Sequence, residues 1–254
     1  MADRQLTNHI RARESEISAF VERLKRLLDD TLDDVISDIE DGKIQGIEAA
    51  ATIGSIEQVL QDAGLENELI KIRALYAEEL KEINSVFKNV GVDSAVSAVD
   101  KDLIEALIQS DFKQVTSTLA SHVADVQSVL MRAVLSPEGA DLTSIINLDN
   151  ERLAKNIDTE LNTATSAFSQ TVTNKKANDL GFNLFEYLGP EDKVIRPFCK
   201  QIISKTPPIY TREEIANMDN GQDLDVMTYR GGYNCRHQWR PITEERAKEL
   251  GYTR

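Results

Sequence analysis

The sequence predicts a mostly α fold: an N-terminal helical bundle or extended helical region, followed by a small α+β domain at the C-terminus. Three observations lead there. Apolar residues recur at steps of three and four along most of residues 1–180, the spacing of one helix face. Residues 1–180 hold five aromatics and one proline, whereas residues 181–254 hold nine and five. Both cysteines and half of the 12 glycines also fall after residue 180. The chain therefore divides into a helical region over 1–148, a long connecting helix over 149–180 and a turn-rich α+β domain over 181–254.

The first helix is the plainest. Ile17, Phe20, Val21, Leu24, Leu27, Leu28, Leu32, Val35, Ile36 and Ile39 form one stripe. Gly42 stands where a C-terminal cap belongs. The steps mix three and four without a strict heptad, which favours an intramolecular bundle over a coiled coil. A second helix is expected over 45–62, closing at Asp62-Ala63-Gly64. A third covers 66–89, with Leu69, Ile72, Tyr76, Leu80, Ile83 and Phe87 inward and Gly91 ending it. Two helices, 100–110 and 112–135, follow, and Pro137-Glu138-Gly139 breaks the chain. The last long helix, 149–179, has a thin apolar stripe of Leu153, Ile157, Leu161, Ala164, Phe168 and Val172 among many Thr and Asn. Such a helix must lean on a neighbour.

In the C-terminal domain Phe182–Leu188 alternates and reads as a strand. Gly189-Pro190-Glu191-Asp192 is a turn, and a short helix begins near Cys199. Thr211 with Glu214 makes a capping box. Asn220-Gly221 turns the chain, and Thr243 opens a final helical turn.

Charge narrows the function. The net charge is −14, and all of it lies in the first 180 residues, with 18 basic and 32 acidic side chains. Residues 181–254 are neutral, with 11 of each sign. The acidic surface disfavours nucleic acid and suits a basic protein partner or simple solubility. The acidic run Asp29, Asp30, Asp33, Asp34, Asp38, Glu40 and Asp41 lacks the glycine-centred spacing of a calcium loop and reads as a solvated helix face. No run of about 18 apolar residues predicts a membrane helix. The opening residues lack the apolar stretch of a signal peptide, so the expected site of synthesis is a cytoplasm. His9 and His122 are lone histidines on helices, with no assigned role.

The candidate chemistry sits at Cys199, Cys235 and His237. Three soft ligands could hold zinc, with an acidic side chain or water as a fourth. A Cys199–Cys235 disulfide is a second reading, worth about 3–4 kcal/mol in the chain-entropy model. Two buried free thiols beside a hydrogen-bonded His237 are the third. The residues leave all three open. A Cys/His catalytic pair finds no orienting Asn or Asp in the pattern. Arg230, Arg236 and Arg240, interleaved with Tyr233 and Trp239, could touch phosphates, but an arginine–acid network fits a neutral domain better.

The string Gly-Pro-x-Asp (189–192), Arg196-Pro197-Phe198-Cys199, then Gly231-Gly232-x-x-Cys235-Arg236-His237-x-Trp239-x-Pro241 resembles the C-terminal signature of phage head-morphogenesis, or minor head, proteins. The preceding helix, from Thr159-Glu160 to Leu180-Gly181, resembles that family's lead-in, so the likeness covers about residues 150–245. It implies a structural virion protein rather than an enzyme, in the phage head or at the head–tail junction. Its partners would be the portal, major capsid or connector proteins during assembly, DNA packaging or ejection. It would have no obligatory cofactor. An oligomeric head–tail or tail-associated adaptor is the alternative. With about ten residues following the signature, a fused transferase or peptidase is not expected. Within the signature Asp192, Arg196, Cys199, Gly231, Gly232, Cys235, His237 and Trp239 are expected to hold the domain's shape, with Arg196 joining its two halves through an acid such as Asp192.

Overall fold

The computed structural model describes residues 2–92, 98–135 and 142–253. It is 72% helical, with a three-stranded antiparallel sheet near the C-terminus. The mostly α class with a small α+β portion is therefore the observed one.

Six helices precede the sheet: α1 (Ala2–Glu40), α2 (Gly46–Gly54), α3 (Ile56–Asp62), α4 (Leu65–Asn89), α5 (Ala98–Leu135) and α6 (Leu142–Asp179). Then come β1 (Leu184–Leu188), α7 (Pro197–Ile203), β2 (Ile209–Thr211), α8 (Arg212–Ala216), α9 (Val226–Tyr229), β3 (Gln238–Ile242) and α10 (Glu244–Glu249).

Helix α1 ends as its sequence requires. Gly42 takes a left-handed φ of 68°, and its N–H donates to Ile39 O at 3.1 Å. Three helix boundaries differ from expectation. The expected helix over 45–62 is two, α2 and α3, broken at Ser55. Gly54 weakens the turn there. The Ser55 hydroxyl donates to Thr52 O at 2.8 Å, closing the turn locally. The expected pair 100–110 and 112–135 is one helix, α5, because Ser110-Asp111 are weak helix formers but not breakers. Helix α6 starts at Leu142, seven residues before the expected 149, and Ile146 in that extra stretch is buried. The expected break at Pro137-Glu138-Gly139 lies outside the described residues.

The chain forms two compact units. One comprises Glu16–Arg73 and Ser110–Leu161. It is a helical bundle in which Ile17, Phe20, Leu24, Leu28 and Leu32 of α1 are buried, as are Leu69 and Ile72 of α4, Val115, Leu119 and Val126 of α5, and Leu153 and Ile157 of α6. Leu27 and Ile39, at the edges of the α1 stripe, are only half-buried. Polar pairs cross this bundle. Arg23 Nε donates to Glu68 at 2.8 Å. Buried Asn150 donates to Asp29 at 2.7 Å and accepts from His122 Nε2 at 2.7 Å, which gives that histidine a structural place. Of the acidic run, Asp29 also pairs with Lys25, and Asp38 and Asp41 both pair with Lys43.

The other unit comprises Met1–Ser15, Ala74–Gln109 and Asn162–Arg254. Its sheet has the order β2-β1-β3, with Phe185 opposite Tyr210 on one side and Pro241 on the other. Phe185 and Tyr187 of β1 are buried while their neighbours are half-exposed, the alternation of a strand with one face inward. Strands β2 and β3 were not legible as strands. β2 is three residues squeezed between Pro208 and the Thr211 cap, and β3 carries Arg240 and Pro241. Proline is tolerated there because β3 is an edge strand. The expected capping box forms in full, with Thr211 Oγ1 accepting from Glu214 N at 3.1 Å and Glu214 accepting from Thr211 N at 2.6 Å. Two buried ion groups join the helices of this unit to one another and to the sheet. Glu79 accepts from Arg13 at 3.2 Å and meets His9 Nε2 at 2.9 Å, and Arg240 donates to Glu82 at 2.6 Å.

Truncating Leu28, which is fully buried in the bundle, leaves a cavity. Leu28→Ala is expected to lower unfolding stability by about 2–5 kcal/mol, read as a shifted denaturation midpoint of the helical circular-dichroism signal.

Candidate functional site

The site lies wholly in the unit that carries the sheet. Four segments build it. Helix α7 opens at Pro197, whose missing N–H costs nothing in a first turn, and this sets Cys199 on the inner face of that turn. The loop after α9 carries Cys235. His237 leads directly into β3, and Tyr187 projects inward from β1.

The loop from Arg230 to Asn234 is tightly wound. Arg230, Gly232 and Asn234 all have positive φ, at 51°, 94° and 56°. Only glycine takes that region without cost. Gly232 is also crowded: a Cβ there would overlap the Gln222 side chain, whose Oε1 accepts from Tyr233 N at 3.0 Å. Gly231 has a different reason. A Cβ there would overlap Cys199 Sγ and stand 3.3 Å from Cys235 Sγ. Gly189 is likewise pressed on the imidazole, where a Cβ would lie 2.6 Å from His237 Cδ2. Three glycines of the signature therefore let backbone close upon the site and its loop.

Cys199 and Cys235 are free thiols, both buried, with their sulfurs 3.6 Å apart. The ligand atoms of Cys199, Cys235 and His237 all lie within 4.8 Å of one another. The Tyr187 hydroxyl donates to Cys199 Sγ at 3.3 Å, and Gly231 N–H donates to Cys235 Sγ at 3.3 Å. The Tyr187 ring stacks on His237 at 5.2 Å and 7° and touches Trp239 at 4.3 Å. His237 is 2% exposed, and its Nε2 has no hydrogen-bond partner among the described residues.

The two sulfurs are electrostatically unequal. The hydrogen bond from Cys199 holds the Cys235 thiol well below its ordinary pKa, and contacts with His237 and the Arg230 guanidinium add to this against the opposing effect of burial. Cys199 is displaced upward, because it keeps the proton it shares with Cys235 and is itself buried. Cys235 is therefore the more acidic of the two thiols. Arg230 is completely buried, and burial lowers its pKa, while Cys235 and Tyr187 favour its charge. Four of its hydrogen bonds go to neutral acceptors, namely Ser166 O at 3.2 Å, Cys235 O at 3.5 Å, Thr228 O and Ser166 Oγ. Burial first, then the two sulfurs, push Tyr187 well above its usual range, so its phenol is neutral.

A polar face of α6 backs the site. Ser166 Oγ donates to Cys235 O at 3.1 Å, and Thr163 Oγ1 accepts from Asn234 N at 2.9 Å. Gln170 bonds both backbone groups of Trp239: Nε2 donates to its carbonyl at 3.1 Å and Oε1 accepts its N–H at 3.0 Å. Asn174 donates to Met227 O at 3.0 Å. Steps of four from Ser166 through Gln170 to Asn174 keep these side chains on one face. The Thr and Asn that made this helix look weakly amphipathic are what it offers its neighbour. Trp239 completes the arrangement, its indole N–H donating to Val226 O at 3.0 Å.

The expected residues converge, with one exchange of partners. Asp192 does not meet Arg196. Arg236 grips Asp192 through two bonds of 2.6 Å, and Arg196 instead donates to Tyr233 O. The reason is local. Arg196 is the extended N-cap residue of α7 and faces the 230s loop, while Arg236 follows Cys235 and faces the 189–192 turn. Arg196 still joins the two halves, but through a backbone carbonyl. Arg230 and Arg240 are both buried, and Arg236 is engaged with Asp192, so all three belong to internal networks. Tyr187, Ser166, Gln170 and Asn174 escaped the sequence reading as site residues. Only the alternation that buries Tyr187 could have pointed to one of them.

Comparisons with known proteins return no match, whether to a protein-family model, a curated protein or a solved structure.

Gln170→Ala would strand two backbone groups of Trp239, at about 1–3 kcal/mol for each buried group left unpaired. The expected outcome is a thermal midpoint lowered by several degrees, and Gln170→Glu is expected to lower it as well, because it sets a buried carboxylate against the Trp239 carbonyl. The Arg236 guanidinium holds the Asp192 carboxyl down at about 2. Its unfolded value is about 3.9, so Asp192 contributes stability above about pH 4 that is lost as the pH falls through about 2. The stability gap between wild type and Asp192→Asn should be flat near neutral pH and close over that acid window in urea melts.

Proposed function

We propose that this chain is a structural protein of a phage virion, a minor head component that associates with the portal or inner capsid. One observation carries the reading. The two halves of the 189–241 string, some 30 residues apart in sequence, meet around one site: Cys199 lies against Cys235 in its buried centre, with Arg196 on Tyr233 and Asp192 on Arg236 at its exposed edge. Residues used in this way hold a shape. Burial of Cys199, Cys235 and His237 supports a structural role over catalysis, since a nucleophile must meet its substrate. The engagement of Arg230, Arg236 and Arg240 with partners inside the chain supports a protein partner over packaged DNA.

The reading expects the chain in purified particles at low copy, by quantitative mass spectrometry, and a loss of infectious heads when its coding sequence is deleted from the phage genome. Absence from the particle would overturn it. Exposed Ile47, Val59 and Ile70 in the bundle unit favour a second reading, an oligomeric adaptor. A fixed trimer, hexamer or dodecamer in light scattering of the isolated protein would select that reading, and a monomer the first.

A further inference from the structure

We infer that Cys199, Cys235 and His237, with the Tyr187 hydroxyl in the fourth position, form a closed site for one soft divalent cation of the zinc class. This does not depend on the virion reading. The donor set is the first ground. Two sulfurs and an imidazole are the ligands such a cation prefers, and two thiolates neutralise its charge within a buried site.

Geometry is the second ground. A tetrahedral ion with metal–sulfur bonds of about 2.3 Å needs its sulfurs about 3.8 Å apart. The two here are 3.6 Å apart, and the Tyr187 oxygen stands 3.3 Å from Cys199 Sγ. The three Cys and His donor atoms sit within 4.8 Å of one another.

The third ground is the environment. His237 is buried with Nε2 lacking a hydrogen-bond partner among the described residues. A buried polar atom left without a partner is costly, and a cation nearby changes that balance. Around the sulfurs the chain places N–H donors of the kind that support thiolate ligands: Gly231 N–H on Cys235 Sγ, and the Arg230 guanidinium close behind. Gly231 and Gly189 are pressed so tightly on Cys199 and His237 that no side chain fits between backbone and ligand. All four donor residues are buried, so the site is closed, which is the form of a structural rather than a catalytic ion.

Elemental analysis of the purified full chain, without added chelator, should return about one zinc per chain. The metal-stripped chain, titrated with Co2+ under reducing conditions, should saturate at one equivalent. It should then show the near-ultraviolet sulfur-to-cobalt charge-transfer band and the intense visible bands of tetrahedral Co2+. Cys199→Ser should weaken the charge-transfer band, and His237→Ala should lower Co2+ affinity about tenfold or more. Tyr187→Phe should keep the charge-transfer band and alter the visible bands, as water replaces the hydroxyl. The wild-type titration needs no variant to fold. A cooperatively melting wild-type chain that gives no sulfur-to-cobalt band would overturn the site. An unchanged Tyr187→Phe spectrum would overturn the fourth ligand.

Discussion

The hydrogen bonds between one face of α6 and the backbone around the cysteine loop are the constraint on which the site depends. A loop with three left-handed residues in five satisfies only part of its own backbone, as in Gly232 N on Tyr229 O and Cys235 N on Gly232 O, and buried peptide groups without partners are costly. Helix α6 supplies those partners through Thr163, Ser166, Gln170 and Asn174. Gln170 does most, acting as a short surrogate strand beside β3. These bonds fix the backbone at Asn234, Cys235 and Trp239 beside α6.

That constraint explains a second feature, a buried guanidinium with no carboxylate salt bridge among the described residues. Removing a charge from water is expensive, and Arg230 meets the expense by spreading its donors over Ser166, Thr228 and Cys235 while facing the more acidic of the two sulfurs. The same residue thus closes the loop mechanically and biases the thiol pair electrically. The buried pairs Glu79 with Arg13 and His9, and Glu82 with Arg240, follow the same logic elsewhere in this unit. In Glu79 the opposing charges and hydrogen bonds outweigh burial and keep the carboxylate ionised.

How legible this was from the sequence varied with the physics of each element. The glycine stops at Gly42 and Gly91 are local signals, and they placed the ends of α1 and α4 within a few residues, whereas the stripe read from Ile17 left out the first turns of α1, where Leu6 and Ile10 are buried. The break at Ser55 and the continuity through Ser110-Asp111 were not legible, because weak helix formers permit either outcome and packing decides. β3 was hidden because its burial comes from β1 on one side and Gln170 on the other, so a strand bearing Arg and Pro shows no alternation. In the site, Cys199, Cys235 and His237 could be grouped by residue type alone. That Tyr187 would reach the same point, or that Arg236 rather than Arg196 would hold Asp192, depends on which way each side chain leaves its turn. The thin apolar stripe of α6 was visible, but its meaning required seeing the polar face occupied.

The distribution of the two units along the chain bears on biosynthesis. The helical bundle is assembled from residues 16–73 and 110–161, so every one of its segments has been made by the time residue 161 is added. The other unit joins residues near position 10 to partners near 80, and Glu82 to Arg240. Its long-range contacts wait until the 230s loop emerges, and such contacts form slowly. On the ribosome the bundle therefore matures first. The thiols of Cys199 and Cys235 are among the last groups to be shielded.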